Sequence, residues 1–192
     1  MKSNFVADPG VGAGDGGFAL FAGRLTSEKG IATLAAAWEE LPGVPLRVAG
    51  SGPMADIGWS GDVTPLGQVG RREVQQLIGE ATVLIFPSTS YECDPMTILE
   101  AFASGTPVIA SNLGSMAERV QHGSSGLLFR AGDAADLATQ VRYAFSHPEH
   151  IAEMRRNARR EYEEKYTAER NYPQLIAIYE RAMENARRRR AA

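Results

Sequence analysis

Apolar residues along this chain alternate between two rhythms. Short, nearly continuous runs of apolar residues are separated by longer stretches in which they recur every three or four positions. The short runs at 18–23 (FALFAG), 46–49, 63–69, 82–87 (TVLIFP), 107–111 (PVIAS) and 125–129 read as six strands. The longer stretches at 30–41, 71–81, 97–105, 115–121 and 134–145 read as helices; in the second, Val74, Leu77 and Ile78 fall on one face. Two charged helical segments follow, at 148–166 and 167–190. Runs as continuous as VLIF suit strands buried on both faces, the condition of a parallel sheet. Strands alternating with helices therefore predict an α/β fold, a doubly wound parallel sheet with right-handed crossovers.

The punctuation agrees with these boundaries. Pro42-Gly43 closes one helix and Gly105 suits the C-cap of another, while Pro148 fits a first helical turn. Pro173 predicts a kink or a restart in the last helix. Residues 54–62 are short and glycine-bearing and predict no long helix. Residues 1–17 are rich in Gly, Asp and Pro and read as a flexible arm. The domain division is then 1–17 as the arm, 18–166 as the folded unit and 167–192 as a C-terminal helix with a basic tail.

Composition adds little to this picture but excludes several function classes. A chain of 192 residues buries a real core. A net charge of −3 argues against a general nucleic-acid partner. Four consecutive arginines at 187–190 are the local exception: they suit weak peripheral contact with anionic lipid or a solvated helix end. The lone Cys93 leaves no internal disulfide and fits a reducing compartment. No apolar run approaches ~20 residues, and the opening MKSNFVADPG has no hydrophobic signal region. A cytoplasmic location is expected.

Candidate chemistry sits in the loops after strands. GRLTSEKG, residues 23–30, follows the first strand and places Arg24 and Lys29 ahead of a helix. Two cations and a helix N-terminus suit a diphosphate. The segment is neither a Walker loop nor GxGxxG, and it equally suits a solvated loop in which Glu28 pairs with a cation. GSGP, residues 50–53, reads as a tight turn, although glycines also allow close ligand approach. The stretch 88–110 follows the fourth strand and carries Glu92 and, eight positions on, Glu100. Carboxylates there can accept hydrogen bonds from sugar and ribose hydroxyls; an exposed loop glutamate and a helix glutamate paired with a cation is the alternative. In a parallel sheet, ligands sit beyond the carboxyl ends of the strands, where these loops lie. His122, His147 and His150 do not cluster as metal ligands do, and there is no Asp-x-Asp. Trp38, Phe86, Leu99 and Phe102 fit core positions, and Cys93 fits a small loop residue better than a reactive thiol.

GRLTSEKG, VAGSGP, LGQV, FPSTSYECDPMTILEAFASGTPVIAS and GSSGLLF occur in that order, and together they resemble the C-terminal, donor-binding domain of family-4 glycosyltransferases. The resemblance spans about residues 18–145. It implies one Rossmann-like half of the two-domain GT-B fold and transfer of a hexosyl group from a nucleotide-sugar, UDP being the commonest carrier, with retention of anomeric configuration. The donor is a substrate, and no metal or other cofactor is implied. On this resemblance Arg24 and Lys29 hold the donor diphosphate, Gly23 lets the loop approach it, and Glu92 lies at the donor sugar. Gln68 and Val69 contact the base, the amides of Met96, Thr97 and Ile98 face the phosphates, and Glu100 binds the ribose. The chain departs from the family at Cys93-Asp94-Pro95, where Gly-Phe-Gly is usual; Pro95 has no N–H to offer the sugar. Gly114-Ser115 replaces paired glycines. The family's N-terminal acceptor domain is the partner that the resemblance leaves missing, with NFVADPG resembling the joining segment, so the domain alone is expected to bind donor without transferring sugar. A sugar-nucleotide epimerase of the same fold and a non-catalytic nucleotide-binding module remain as alternatives.

Overall fold

Six short strands form one wholly parallel sheet, and its central strands are apolar on both faces, Val83–Phe86 and Val108–Ser111 being buried at every position. The computed structural model describes residues 3–191, with side chains through Arg188. The strands are β1 (Ala19–Ala22), β2 (Leu46–Ala49), β3 (Val63–Gly67), β4 (Val83–Phe86), β5 (Val108–Ser111) and β6 (Gly126–Phe129). Their order across the sheet is β3-β2-β1-β4-β5-β6. β1 pairs in register with β2 from Ala19 opposite Leu46 and with β4 from Ala19 opposite Val83. The chain builds outward in one direction from β1 and then in the other from β4. This is the doubly wound order, and its switch point lies between β1 and β4.

Alternation along the strands feeds two cores. Leu20, Leu84, Phe86, Val108 and Ala110 face one layer. Ala19, Phe21, Val83, Ile85 and Ile109 face the other. The first layer is closed by α2 (Arg71–Glu80), α3 (Met96–Ala103) and α4 (Gly114–Arg119); the second by α1 (Ile31–Glu39) and α5 (Ala134–Ser146). In α3, Ile98, Leu99, Ala101, Phe102 and Ala103 are all buried, so the helix packs on nearly every side. β3 is an edge strand, half exposed, and there Pro65 removes no ladder bond that matters.

The C-terminal helices divide. α6 (Pro148–Lys165) carries Ile151 and Met154 into one core and Ala158 and Tyr162 into the other, so it straddles the two layers. α7 (Ala168–Ala191) runs through Pro173 as a single helix, where the sequence predicts a kink or restart. Proline there removes only one bond, to the helix's first turn. Most of α7 is exposed, Tyr172, Ile178, Tyr179 and Met183 included. In the run of four arginines, Arg187 and Arg188 are exposed, and the side chains of residues 189 and 190 lie outside those described.

Residues 3–17 form no regular element, yet they are laid along the body. Val6 is buried, its N–H bonded to the Tyr166 carbonyl at 3.3 Å, and Tyr162 Oη donates to the Val6 carbonyl at 3.1 Å. Gly12 N–H meets Ser104 O at 2.9 Å, and Arg159 holds Asp8 through two bonds of 2.7 Å. The segment's Gly, Asp and Pro content reads as a flexible arm; the bonds that hold it come from neighbours remote in sequence.

Candidate functional site

Two loops leave the carboxyl ends of β1 and β4 and meet at the switch point. The first passes through Gly23, Arg24 and a single 3-10 turn, Ser27–Lys29, before α1 begins at Ile31. Gly30, between turn and helix, has φ +73°, and a Cβ there would overlap the Pro87 carbonyl oxygen. Only glycine lets the first loop press this closely on the second. Thr89 N–H donates to Glu28 O at 2.9 Å, and Ser88 Oγ lies 2.8 Å from the same carbonyl.

That contact brings the expected residues together. Lys29 Nζ lies 2.6 Å from Glu92 Oε1, with both side chains about four-fifths buried. The Ser88 hydroxyl, itself buried, is 2.8 Å from the same carboxylate oxygen, and Ser115 Oγ donates to the Glu92 carbonyl at 2.6 Å. Lys29 Nζ also stands 5.6 Å from the centroid of the Phe86 ring. Arg24 differs: its side chain is 74% exposed and, among the described residues, its ion pair is with Glu28, at 3.8 Å. The local pairing that the loop allowed is therefore real for Arg24, whereas Lys29 is preset.

Around this pair lies a cavity of about 270 Å³ whose wall includes Gly23, Arg24, Lys29, Glu92, Met96 and Thr97, together with Phe86, Ser88, Asp94 and Pro95. α3 starts here with Pro95 as its N-cap and no side-chain cap. Among the described residues no hydrogen bond engages the Met96 or Thr97 amides, so both are free for an anion. Ile98 stands apart from the expectation. Its side chain is fully buried and its N–H donates to Pro95 O at 3.0 Å, because the first turn of α3 closes on its own cap.

A second cavity, about 300 Å³, adjoins the first and shares Gly23 and Arg24 with it; Gln68, Val69, Ala49, Gly50 and Ser51 line it. Glu100 lines neither. It borders a neighbouring hollow with Arg71, Val74 and Ala7, and Val74 also belongs to the second cavity. Burial pushes the Glu100 carboxyl above its ordinary pKa, and Arg71, 4.0 Å away and exposed, pulls only weakly the other way.

Some of the site was not singled out from sequence. GSGP, read as a plain turn, supplies Gly50 and Ser51 to the second cavity, and a Cβ on Gly50 would overlap the Gly23 carbonyl. Its glycines after a strand were the available signal. Phe86, read as core, is buried and also floors the first cavity. Asp94 lines that cavity while paired with Arg119 at 2.6 Å; no local pattern links residues so far apart. Cys93 is exposed, and its thiol is free. Among the described residues no group of three or more His, Cys, Asp or Glu could hold a metal ion, and no helix is long and apolar enough to cross a membrane.

Comparison with known proteins agrees with this architecture. The chain is 31% identical over 194 residues to an uncharacterized glycosyltransferase of Methanocaldococcus jannaschii, covering 95% of this chain and 49% of that protein. It is 34% identical over 143 residues to a glycogen synthase of Mycobacterium tuberculosis, covering 67% of this chain and 34% of the synthase. Among solved structures, sucrose-phosphate synthase from Thermosynechococcus elongatus superposes with TM-score 0.79 at 27% identity, over 88% of this chain and 46% of that one. Anabaena HepE in complex with UDP superposes with TM-score 0.78 at 22% identity, over 88% and 49%. The chain thus spans about half the length, or less, of these proteins, and its sheet is the single GT-B half expected. Residues 10–161 match the family described as glycosyl transferases group 1, and with the sheet order and the cleft in agreement, the chain belongs to that family.

Proposed function

We propose that this chain is the donor-binding half of a retaining hexosyltransferase that takes a UDP-sugar as substrate. One observation carries the reading. Two adjoining cavities at the switch point share Gly23 and Arg24, with the Lys29–Glu92 pair and two free helix amides in one and Gln68 and Val69 in the other. A nucleotide lies along them with its base at Gln68 and Val69 and its diphosphate between Arg24, Lys29 and the Met96 and Thr97 amides. The sugar then sits toward Glu92. Glu100 reaches the ribose from the neighbouring hollow, and UDP in the HepE structure supports the choice of base.

Sugar transfer breaks the bond from the anomeric carbon to the diphosphate oxygen, and negative charge collects on that oxygen. Fixed donors aimed at it lower the barrier. Lys29 and the two amides are already in place, and Arg24, exposed and loosely held, closes onto the diphosphate. No bound metal is assigned a part in this reading. Retention follows if the acceptor attacks on the face the diphosphate leaves. The acceptor is bound by a further part of the protein, and this half alone binds donor without turnover.

Calorimetry of the chain with UDP, GDP and ADP tests the donor reading, and a folded sample that binds none of them refutes it. Adding an acceptor-binding domain in trans, then reading the anomeric configuration of the product by NMR, tests retention.

A further inference from the structure

Two carboxylates close together in the chain, Glu92 and Asp94, line the first cavity, and each already holds a cation. Glu92 holds Lys29 at 2.6 Å, and Asp94 holds Arg119 at 2.6 Å with both side chains 16% exposed. Arg119 stands behind Asp94 on α4 and does not line the cavity. Its other nitrogen donates to Ser3 Oγ and Tyr166 Oη, each at 3.0 Å. The second Asp94 oxygen accepts the Asn4 N–H at 2.6 Å. Asp94 is therefore pinned by α4 and the N-terminal segment, and its orientation does not depend on a ligand. Asp94 Oδ1 is sealed from solvent, so acceptor capacity toward the cavity rests on its second oxygen and on the second oxygen of Glu92, each with a lone pair to spare. The next residue, Pro95, has no N–H. At Asp94 and Pro95 the wall therefore offers acceptors and no backbone donor from Pro95, the free amides beginning only at Met96. The remaining cation of the cavity, Arg24, lies on the side shared with the second cavity.

We propose that Asp94, together with Glu92, makes this site specific for a neutral, hydroxyl-rich sugar and turns away uronic and other acidic sugars. The inference rests on the donor-binding reading and adds the sugar class to it. Sugar hydroxyls donate to charged acceptors in strong hydrogen bonds. A uronate in the same place brings a third carboxylate beside two others, and no unpaired cation stands there to receive it.

Calorimetry on the chain tests this with donor pairs that differ only by CH2OH against COO−: UDP-glucose with UDP-glucuronate, and GDP-mannose with GDP-mannuronate. The neutral member of whichever pair carries the accepted base binds at least about tenfold more tightly. Asp94→Asn narrows the gap by strengthening uronate binding, because Arg119 then carries uncompensated charge. Equal affinities within the pair overturn the proposal, as does an unchanged ratio in a folded Asp94→Asn protein. If that variant does not fold, the ratio in the unaltered chain decides. Nucleotide binding without discrimination refutes the sugar class alone, whereas failure to bind UDP or GDP at all removes the donor reading and this inference together.

Discussion

Lys29 and Glu92, 63 residues apart, form a 2.6 Å ion pair that joins the loop after β1 to the loop after β4. The pair is four-fifths buried, so removing one partner strands the other in a poorly solvated place. Lys29→Ala lowers unfolding free energy by about 1–3 kcal/mol and weakens nucleotide binding roughly 10- to 100-fold. The double variant Lys29→Met with Glu92→Gln has no stranded charge, keeps the Ser88 hydrogen bond and recovers most of the stability. It does not recover affinity. Thermal melts beside calorimetry separate the two roles, and recovery of both properties in the double variant contradicts the assignment of Lys29 to the diphosphate.

Glu100 gives the site a pH dependence of definite sign. Burial raises its folded pKa above the unfolded value. The folded state therefore binds this proton more tightly, and ionisation costs stability as pH rises between the two values. Ribose hydroxyls prefer the ionised acceptor. Affinity for a nucleotide-sugar, whose pyrophosphate diester does not titrate there, rises as pH climbs through the raised pKa, and Glu100→Gln flattens the profile. Identical profiles for the two proteins would place the ribose elsewhere.

The N-terminal segment depends on Arg159. Its guanidinium hydrogen bonds hold the Asp8 carboxyl below its usual pKa despite a burial effect in the other direction. The stabilisation is present above the unfolded pKa of Asp8 and is lost as pH falls through the lowered folded value. Arg159 Nη1 also donates to Ala103 O at 2.6 Å. Arg159→Ala costs about 1–2 kcal/mol and speeds amide exchange at Gly12 and Val6, whereas Asp8→Asn costs less, since Asp8 is half exposed. Exchange at Gly12 unchanged by Arg159→Ala would show that the segment is held by its other bonds.

Gly30→Ala tests the close approach of the two loops. Both the positive φ and the Pro87 carbonyl oppose a Cβ. The expected loss of stability is on the order of 2–4 kcal/mol, with nucleotide affinity falling as Lys29 is displaced. Gly43→Ala, also at positive φ but with open space around its Cβ position, costs about 1 kcal/mol. Equal losses for the two would mean that backbone conformation alone matters at Gly30.

Elements were legible in the sequence where local chemistry decides them. VLIF could be read as a strand buried on both faces and Arg71 to Glu80 as an amphipathic helix because periodicity reports burial directly. The ordered set of motifs singled out Arg24, Lys29 and Glu92, and the fold brings the three to one cavity. α7 continues through Pro173, which removes only the bond to the Glu169 carbonyl, and the Ile98 amide, close to a helix start, is spent on its own cap.

By itself the sequence determined which segments are strands and helices, that the sheet is parallel, and which loops carry the cations and carboxylates. Tertiary structure alone decided the partners: Lys29 with Glu92, Asp94 with Arg119, Asp8 with Arg159. It also decided that Gly50 presses on Gly23 and that Glu100 sits beside the cleft rather than in it. Periodicity and capping are set by bonds between near neighbours in the chain, whereas these pairings exist because β1 and β4 lie side by side at the switch point, and strand order is fixed by packing the two cores as a whole.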